Sequence, residues 1–273
     1  MKIAVLPVAA LLLPFCAGAQ APVTNPTDTT KDIQLNLQDP IKPAGAVPVN
    51  SEPHHAHVFQ NSYVRVYNVT VPPLDATLLH QHDLPYIYLT LGSTDVVNAV
   101  QGKPEARMML EDGTTRYSPG GFAHIARTDA GIAFHNITIE LVHPQESLRN
   151  LGEKASERPL GSCPQTDVVP RQDRQIPLEQ DTPCFETSEL RMDLVKVDGG
   201  RDYTKVSPGE AALLIAMSDA SLEVSLGGEH VGFLHGGDVQ WLPAGVGWKV
   251  ADFLGTKSEF LLITFKDSGA AAK

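Results

Sequence analysis

The chain is short of cysteine, of positive charge and of long apolar runs. Three cysteines occur in 273 residues, Cys16, Cys163 and Cys184, and none forms a Cys-x-x-Cys pair. Redox and zinc-knuckle readings therefore have no motif to rest on. Lys and Arg number 21 against 32 Asp and Glu, a formal net charge of −11. That balance repels phosphate backbones and argues against a nucleic-acid partner. Beyond the first fifteen residues no apolar stretch approaches membrane length, so no stable membrane anchor is expected. No Walker pattern and no nucleophile elbow appears, and Gly227-Gly228 and Gly236-Gly237 read as hairpin turns rather than phosphate loops.

What is present points to an exported, strand-rich protein. Hydrophobic residues make up 42% and charged residues 19%, enough for a packed core, and the length suits about two modest domains. Gly 22 and Pro 21 favour many short strands and turns over long helices. Lys2, an apolar run from Ile3 to Phe15, and Ala17-Gly18-Ala19 make a secretory signal peptide, residues 1–19, cleaved after Ala19. The predicted location is periplasmic or secreted. A lipoprotein reading with Cys16 acylated is poorly served by Pro14 and Phe15. Cleavage leaves Cys163 and Cys184, and an even pair in an oxidising compartment is expected to bridge, stabilising the fold by about 3 kcal/mol in the chain-entropy model.

Residues 20–51 carry Pro, Thr, Asn, Asp and Gln without an apolar period and read as a flexible tether. A first strand-rich domain is expected over 52–144, beginning with the alternating run Val64 to Val71 and closing with His135 to Val142. Residues 145–183 break the pattern and read as a linker or belt, with a short helix near Glu146 to Ala155. Strands resume over 184–267, followed by a tail, 268–273. The halves repeat one another: Phe59 and Ser62 recur as Phe185 and Ser188, Arg65 as Arg191, Gly113, Pro119 and Gly121 as Gly237, Pro243 and Gly245, and Ile137-Thr138-Ile139 as Ile263-Thr264-Phe265. Such a period marks a duplicated domain.

Eight of the ten histidines lie between His54 and His143. His80 and His82 are two apart on an extended segment, so both imidazoles point to one face. His124 follows Pro119-Gly120-Gly121 at the start of another strand. If the sheet closes into a barrel, all three converge in its mouth, and three neutral imidazoles suit one divalent ion: Fe²⁺, Zn²⁺, Mn²⁺ or Ni²⁺.

These residues resemble the cupin superfamily, whose first motif is G-x5-H-x-H-x3/4-E-x6-G and whose second is G-x5-P-x-G-x2-H-x3-N. Gly113, Pro119, Gly121 and His124 match the second, with Thr128 where Asn is usual. His80 and His82 match the first, with Gly92 near its end; Leu74 occupies the glycine position, and Tyr86 or Ile87 falls where the glutamate stands. The resemblance covers roughly 54–143 and 184–266. It implies an all-β protein of two tandem jelly-roll-like β-barrels, a bicupin, with His80, His82 and His124 as ligands and no motif carboxylate. In the second half Val206, Pro208 and Ala212 stand where His80, His82 and Tyr86 stand, and Trp248 replaces His124. That half is expected to be degenerate and metal-free, either a filled barrel or an apolar pocket capped by Trp248.

Tyr86, on the His82 face, is the candidate catalytic residue: an outer ligand, a proton donor or a lining aromatic. Glu140 is a substitute carboxylate of unknown facing. His54, His55 and His57 are a second metal site, a lid, or, as the favoured reading, an exposed polar lead-in. His230 and His235 are expected at the surface. Three functions stand: a metal-dependent enzyme on a small organic molecule, with three-histidine dioxygenase chemistry as the sharpest version the resemblance implies; a non-catalytic protein holding a small ligand or metal; and a purely structural duplicated barrel. A homodimer is left open.

Overall fold

Short runs in which apolar and polar residues alternate build two stacks of antiparallel strands, because a pleated strand sends successive side chains to opposite faces. A computed structural model describes residues 45–164, 179–198, 202–205, 210–218, 220–254 and 257–266, without the side chains at 179, 180, 198, 205 and 257. The expected signal peptide 1–19, the tether as far as residue 44, the linker over 165–178 and the tail 268–273 lie outside the described residues.

The first half contains β1 (Val47–Pro48), β2 (His55–Gln60), β3 (Val64–Val71), β4 (His80–His82), β5 (Tyr86–Thr90), β6 (Thr94–Val100), β7 (Ala106–Leu110), β8 (Thr115–Ser118), β9 (Phe122–Arg127) and β10 (Phe134–Leu141). The second contains β11 (Arg149–Asn150), β12 (Glu179–Glu186), β13 (Leu190–Asp198), β14 (Asp202–Lys205), β15 (Ala211–Ala216), β16 (Ser221–Leu226), β17 (Glu229–His235), β18 (Val239–Leu242), β19 (Trp248–Asp252) and β20 (Lys257–Phe265). Among the described residues there is no α-helix.

The first half forms a sheet of order β1-β4-β9-β6-β7 and a sheet of order β2-β3-β10-β5-β8. The second repeats both as β11-β12-β13-β20-β15-β18 and β14-β19-β16-β17. The duplication extends to an irregularity: the pairing of β2 with β3 slips between His57 and Phe59, and that of β12 with β13 slips between Pro183 and Phe185. The sheets are stacked pairs, so the barrels expected from the sequence are jelly-roll-like sandwiches rather than closed cylinders.

The two halves share a core. Val66, Ile87, Leu89, Ile137 and Ile139 from the first pack with Met192, Leu213, Ile215, Leu261 and Ile263 from the second in one cluster. Each fully buried side chain of this size contributes about 1.5–3 kcal/mol. The intervening residues Tyr86, Tyr88, Asn136 and Thr138 face the inside of the first sandwich, where they line its cavity.

Four expectations are corrected. The stretch read as a tether to Ser51 enters the fold at Val47: β1 pairs in parallel with β4, Val49 is buried, and a 3-10 turn spans Val49–Ser51. The short helix expected near Glu146 to Ala155 is instead the strand β11 and a 3-10 turn at Ala155–Glu157, because β11 finds backbone partners along β12. Matched by strand pairing, Ile137-Thr138-Ile139 corresponds to Leu261-Leu262-Ile263, two residues before the segment matched in sequence. His80 pairs across from His124 and Lys205 across from Trp248, so Lys205 rather than Val206 is the counterpart of His80; Val206 and Pro208 lie outside the described residues.

The Cys163–Cys184 bridge is present, with Cα atoms 4.3 Å apart. It fastens a belt that touches both sandwiches. The Tyr117 N–H donates to the Gly161 carbonyl at 2.7 Å, and the Leu151 N–H donates to the Cys184 carbonyl at 2.9 Å.

Candidate metal centre

The site is assembled by β4 and β9, paired so that His80 lies opposite His124 and His82 opposite Phe122. The turn before β9 sets that pairing. Gly120 has φ +68°, and a Cβ there would lie 2.1 Å from the Leu84 carbonyl oxygen; Gly121, at φ +74°, donates its N–H to the His82 carbonyl at 2.7 Å. Only glycine fits such a backbone at such an approach. Leu74, where the motif resemblance expects glycine, takes φ +59° and is exposed, so the loop keeps a glycine-like conformation without the glycine. Thr128, in the motif's Asn position, donates its hydroxyl to the Pro72 carbonyl at 2.7 Å and fixes the same loop.

Four imidazoles meet inside the first sandwich. Ring centroids are 4.5 Å apart for His80 and His124, 5.1 Å for His80 and His82, 5.3 Å for His82 and His124, and 4.6 Å for His55 and His80. The donor atoms that come within 4.8 Å of one another are those of His55, His80 and His82. His124 flanks His80 from the paired strand. His55 is 8% exposed, which corrects its reading as part of an exposed lead-in. His54 is half-buried and only His57 is exposed, set edge-on to Tyr67. Sequence reasoning had a signal for His55, since the histidines before β2 were noticed, but no local pattern distinguishes the member that turns inward.

The nitrogens are oriented as metal-binding histidines are. His80 Nδ1 donates to the Leu78 carbonyl at 2.9 Å, and His124 Nδ1 donates to Asn98 Oδ1 at 2.7 Å. Their Nε2 atoms are left buried without a partner, whereas His82 Nδ1, also without a hydrogen bond, faces Glu140 at 3.7 Å and leaves Nε2 as the donor atom available on that ring. Orphaned buried nitrogens are costly unless something binds them, so the donor set fits a divalent ion. Burial pushes the His80 ring down to about 3, with the neighbouring His55 and His82 adding to the shift. Burial also lowers His82, against the opposing pull of Glu140, and holds His124 well below the usual histidine range. All three are neutral at pH 7, the state that can coordinate.

Glu140 is 1% exposed and faces inward, answering its open orientation. It sits 3.7 Å from His82 Nδ1 and 3.8 Å from Arg65, with Oε2 unpartnered. It stands behind His82 and does not line the cavity. Tyr86 does line it, with its ring stacked on His82 at 4.2 Å. Burial pushes its phenol up to about 12, so the hydroxyl stays protonated at neutral pH. The cavity beside these groups has a volume of about 180 Å³ and, among the described residues, no Asp, Glu, Lys or Arg lines it. Tyr86 and Phe122, with ring centroids 6.4 Å apart, both line it.

In the second sandwich Trp248 is 6% exposed and packed among Val195, Leu214, Leu222 and Phe260. Trp248 thus fills the interior where His124 stands in the first half, and it also borders an open pocket with Thr204, Ser225, Gly227, Gly228, Gly247 and Lys249. His230 and His235 are exposed, as expected.

Comparison with solved structures decides the architecture. AerE from Microcystis aeruginosa aligns with a TM-score of 0.54 at 11% identity over 79% of this chain and 99% of that one. The putative glyoxylate-induced protein from Pseudomonas aeruginosa aligns with 0.53 at 15% identity over 75% of each chain. The salicylate 1,2-dioxygenase from Pseudaminobacter salicylatoxidans aligns with 0.51 at 13% identity over 74% of this chain and 71% of that one. The chain has a duplicated cupin fold. No protein-family model matches the chain, and no curated protein matches it. At these identities the cupin likeness is one of fold, and the reaction has to be argued from the site.

Proposed function

We propose that this bicupin is an exported metal-dependent enzyme in which the first sandwich holds one divalent ion, Fe, Zn, Mn or Ni, and acts on a small organic molecule with oxygenase-type chemistry. The observation that carries this reading is the group of His55, His80 and His82, whose donor atoms lie within 4.8 Å of one another beside a cavity that His124 also lines, with the Nε2 atoms of His80 and His124 buried and partnerless. The expected ligands are His80, His82 and His124. An ion bound by imidazoles with an open position would polarise a coordinated substrate as a Lewis acid, and a redox-active ion such as Fe²⁺ would in addition supply the electrons that O₂ chemistry needs.

The protein's own residues limit what enters. A cavity of about 180 Å³ suits a molecule of roughly one aromatic ring, since an apolar cavity of about 150 Å³ holds benzene. Val96, Leu110, Phe122 and Phe134 give it apolar walls, and Asn98, Asn136 and Ser118 supply polar contacts. Among the described residues no Lys or Arg lines it, so an anionic group on the substrate finds its counter-charge at the ion. Tyr86, protonated and stacked on His82, is placed to donate a hydrogen bond or proton to a bound ligand. Support for a one-ring substrate comes also from the salicylate 1,2-dioxygenase, a variant of which is known in complex with gentisate. The signal-peptide pattern of residues 1–19 supports a periplasmic or secreted location for the mature protein.

The test is elemental analysis of full-length protein purified without a histidine tag, followed by O₂ uptake with a panel of one-ring hydroxy acids, gentisate among them. One equivalent of metal and substrate-dependent O₂ uptake support the reading. Protein that takes up no divalent ion overturns it. One equivalent of metal with ligand binding but no turnover replaces it with the non-catalytic ligand-holding alternative.

A further inference from the structure

The first motif lacks its carboxylate, and the structure brings another group to that side of the site. His55 comes from β2, twenty-five positions before His80 in sequence. Its ring lies 4.6 Å from that of His80 and 5.8 Å from that of His82. Its Nδ1 donates to Glu52 Oε2 at 2.6 Å, which leaves Nε2 as the coordinating nitrogen.

Glu52 is 2% exposed and makes an unusual number of contacts for a buried carboxylate. Besides His55 it accepts from the His54 backbone N–H at 2.8 Å, from His54 Nδ1 at 2.9 Å and from the Leu78 N–H at 3.1 Å. Leu78 is also the residue whose carbonyl receives His80 Nδ1. One carboxylate thus joins the segment carrying His55 to the segment that orients His80. The same two segments are tied a second time where Val47 and Pro48 of β1 pair with His80 and Gln81 of β4. A ligating histidine held by a carboxylate through its other nitrogen is a recurrent arrangement in metal sites.

We propose that His55 is a fourth nitrogen donor to the metal centre, standing in for the missing motif carboxylate, and that Glu52 is its positioning residue. The negative charge that the motif glutamate would place on the ion sits instead one residue out, on Glu52, behind an imidazole. The inner donor set is then all nitrogen, which favours Zn²⁺, Fe²⁺ or Ni²⁺ over the oxygen-preferring Mn²⁺ and Mg²⁺. This inference rests on the metal-binding reading above.

Co²⁺ titration of the full chain, read by its visible absorption bands and by dissociation constant, tests it. Wild type is expected to bind one Co²⁺. His55→Ala is expected to bind at least 10-fold more weakly with shifted bands, and added imidazole is expected to restore the wild-type bands, which a merely structural defect would not allow. Glu52→Gln is expected to weaken binding by about 10–100-fold with the bands little changed, because the donor set is intact while its orientation is not. Glu52→Asp is expected to recover part of that loss. Circular dichroism checks folding, and His55→Gln serves if the alanine variant does not fold. Wild-type affinity and bands in both His55 variants, together with loss of Co²⁺ in His80→Ala, overturn this inference alone. Absence of Co²⁺ binding in wild type overturns the metal reading as well.

Discussion

His124 and the Asn98 that holds its Nδ1 correspond, by strand pairing, to Trp248 and Val224 in the second sandwich. Around them Asn136 corresponds to Phe260, Thr138 to Leu262, Glu140 to Thr264 and Tyr86 to Ala212. The same strand order therefore encloses polar groups and a cavity in one half and a continuous apolar core in the other. The histidine and the residue that holds it thus differ together between the halves. A lone change at either place would leave a buried polar atom unpaired, which costs about 1–3 kcal/mol. The outer faces of both halves stayed apolar because they are pressed against each other in the shared core. Only the inner faces were free to diverge.

The largest effect expected from this contrast is on stability in the second half. Trp248→Ala should cost about 3–5 kcal/mol, read as a fall in the midpoint of chemical unfolding, while leaving metal content unchanged. The counterpart His124→Ala should do the reverse, losing most of the bound metal at little cost in stability. Loss of metal in the Trp248 variant would break the separation between the halves.

Next comes the disulfide. Cys184 and Val58 occupy equivalent slips in the β12 and β2 pairings, but only the former is bridged. Cys163→Ser with Cys184→Ser should lower stability by about 2–4 kcal/mol under oxidising conditions and leave metal affinity intact. A drop in metal affinity as large as that in stability would show that the belt supports the site after all.

A smaller effect is expected at Leu74. It holds φ +59°, whereas the second half carries Gly199-Gly200 at the corresponding place in sequence. A non-glycine residue in that conformation is strained by about 1–2 kcal/mol, offset in part by the greater chain entropy of glycine. Leu74→Gly should raise stability by up to about 1 kcal/mol in thermal or chemical unfolding. A loss of stability would mean that the side chain has a packing role its exposure does not suggest.

The smallest effect is on pH dependence. Hydrogen bonds from Lys266 and Arg149 hold the Glu186 carboxyl below the usual glutamate range, while the equivalent residue in the first half is Gln60. A carboxyl lowered on folding adds stability that is full above its unfolded value, about 4.3, and is lost as pH falls through the folded value. The pair is near the surface, so the contribution is under about 1 kcal/mol. Glu186→Gln should flatten the acid limb of stability by that amount, and Gln60→Glu should not create an equal one. An unchanged acid limb in the Glu186 variant would remove the carboxyl from the account.

Much of the molecule was legible in the sequence where a local rule governs it. Strand alternation made Val64 to Val71 and His135 to Val142 readable, because the period of two is a property of the backbone. The spacing of His80, His82, Pro119, Gly121 and His124 placed one side of the centre, because two residues on one strand and a glycine turn fix direction locally. The pairing of Cys163 with Cys184 followed from number alone. Glu52, and the choice of His55 among His54, His55 and His57, escaped this reasoning. Both residues reach the site only because β1 lies parallel to β4 and Glu52 meets Leu78, contacts between segments about thirty residues apart that no periodicity announces. The two-residue displacement between Ile137-Thr138-Ile139 and its true counterpart has the same origin, since similar apolar triplets satisfy the pattern and only pairing with β3, β5, β13 and β15 selects the register. Composition and spacing thus determined the duplicated all-β scaffold and singled out His80, His82 and His124, three of the four imidazoles that meet inside the first sandwich. Tertiary packing decided which histidine turns inward, where the carboxylate sits and which sandwich keeps a cavity, because those depend on the free energy of groups that meet only after the chain has folded.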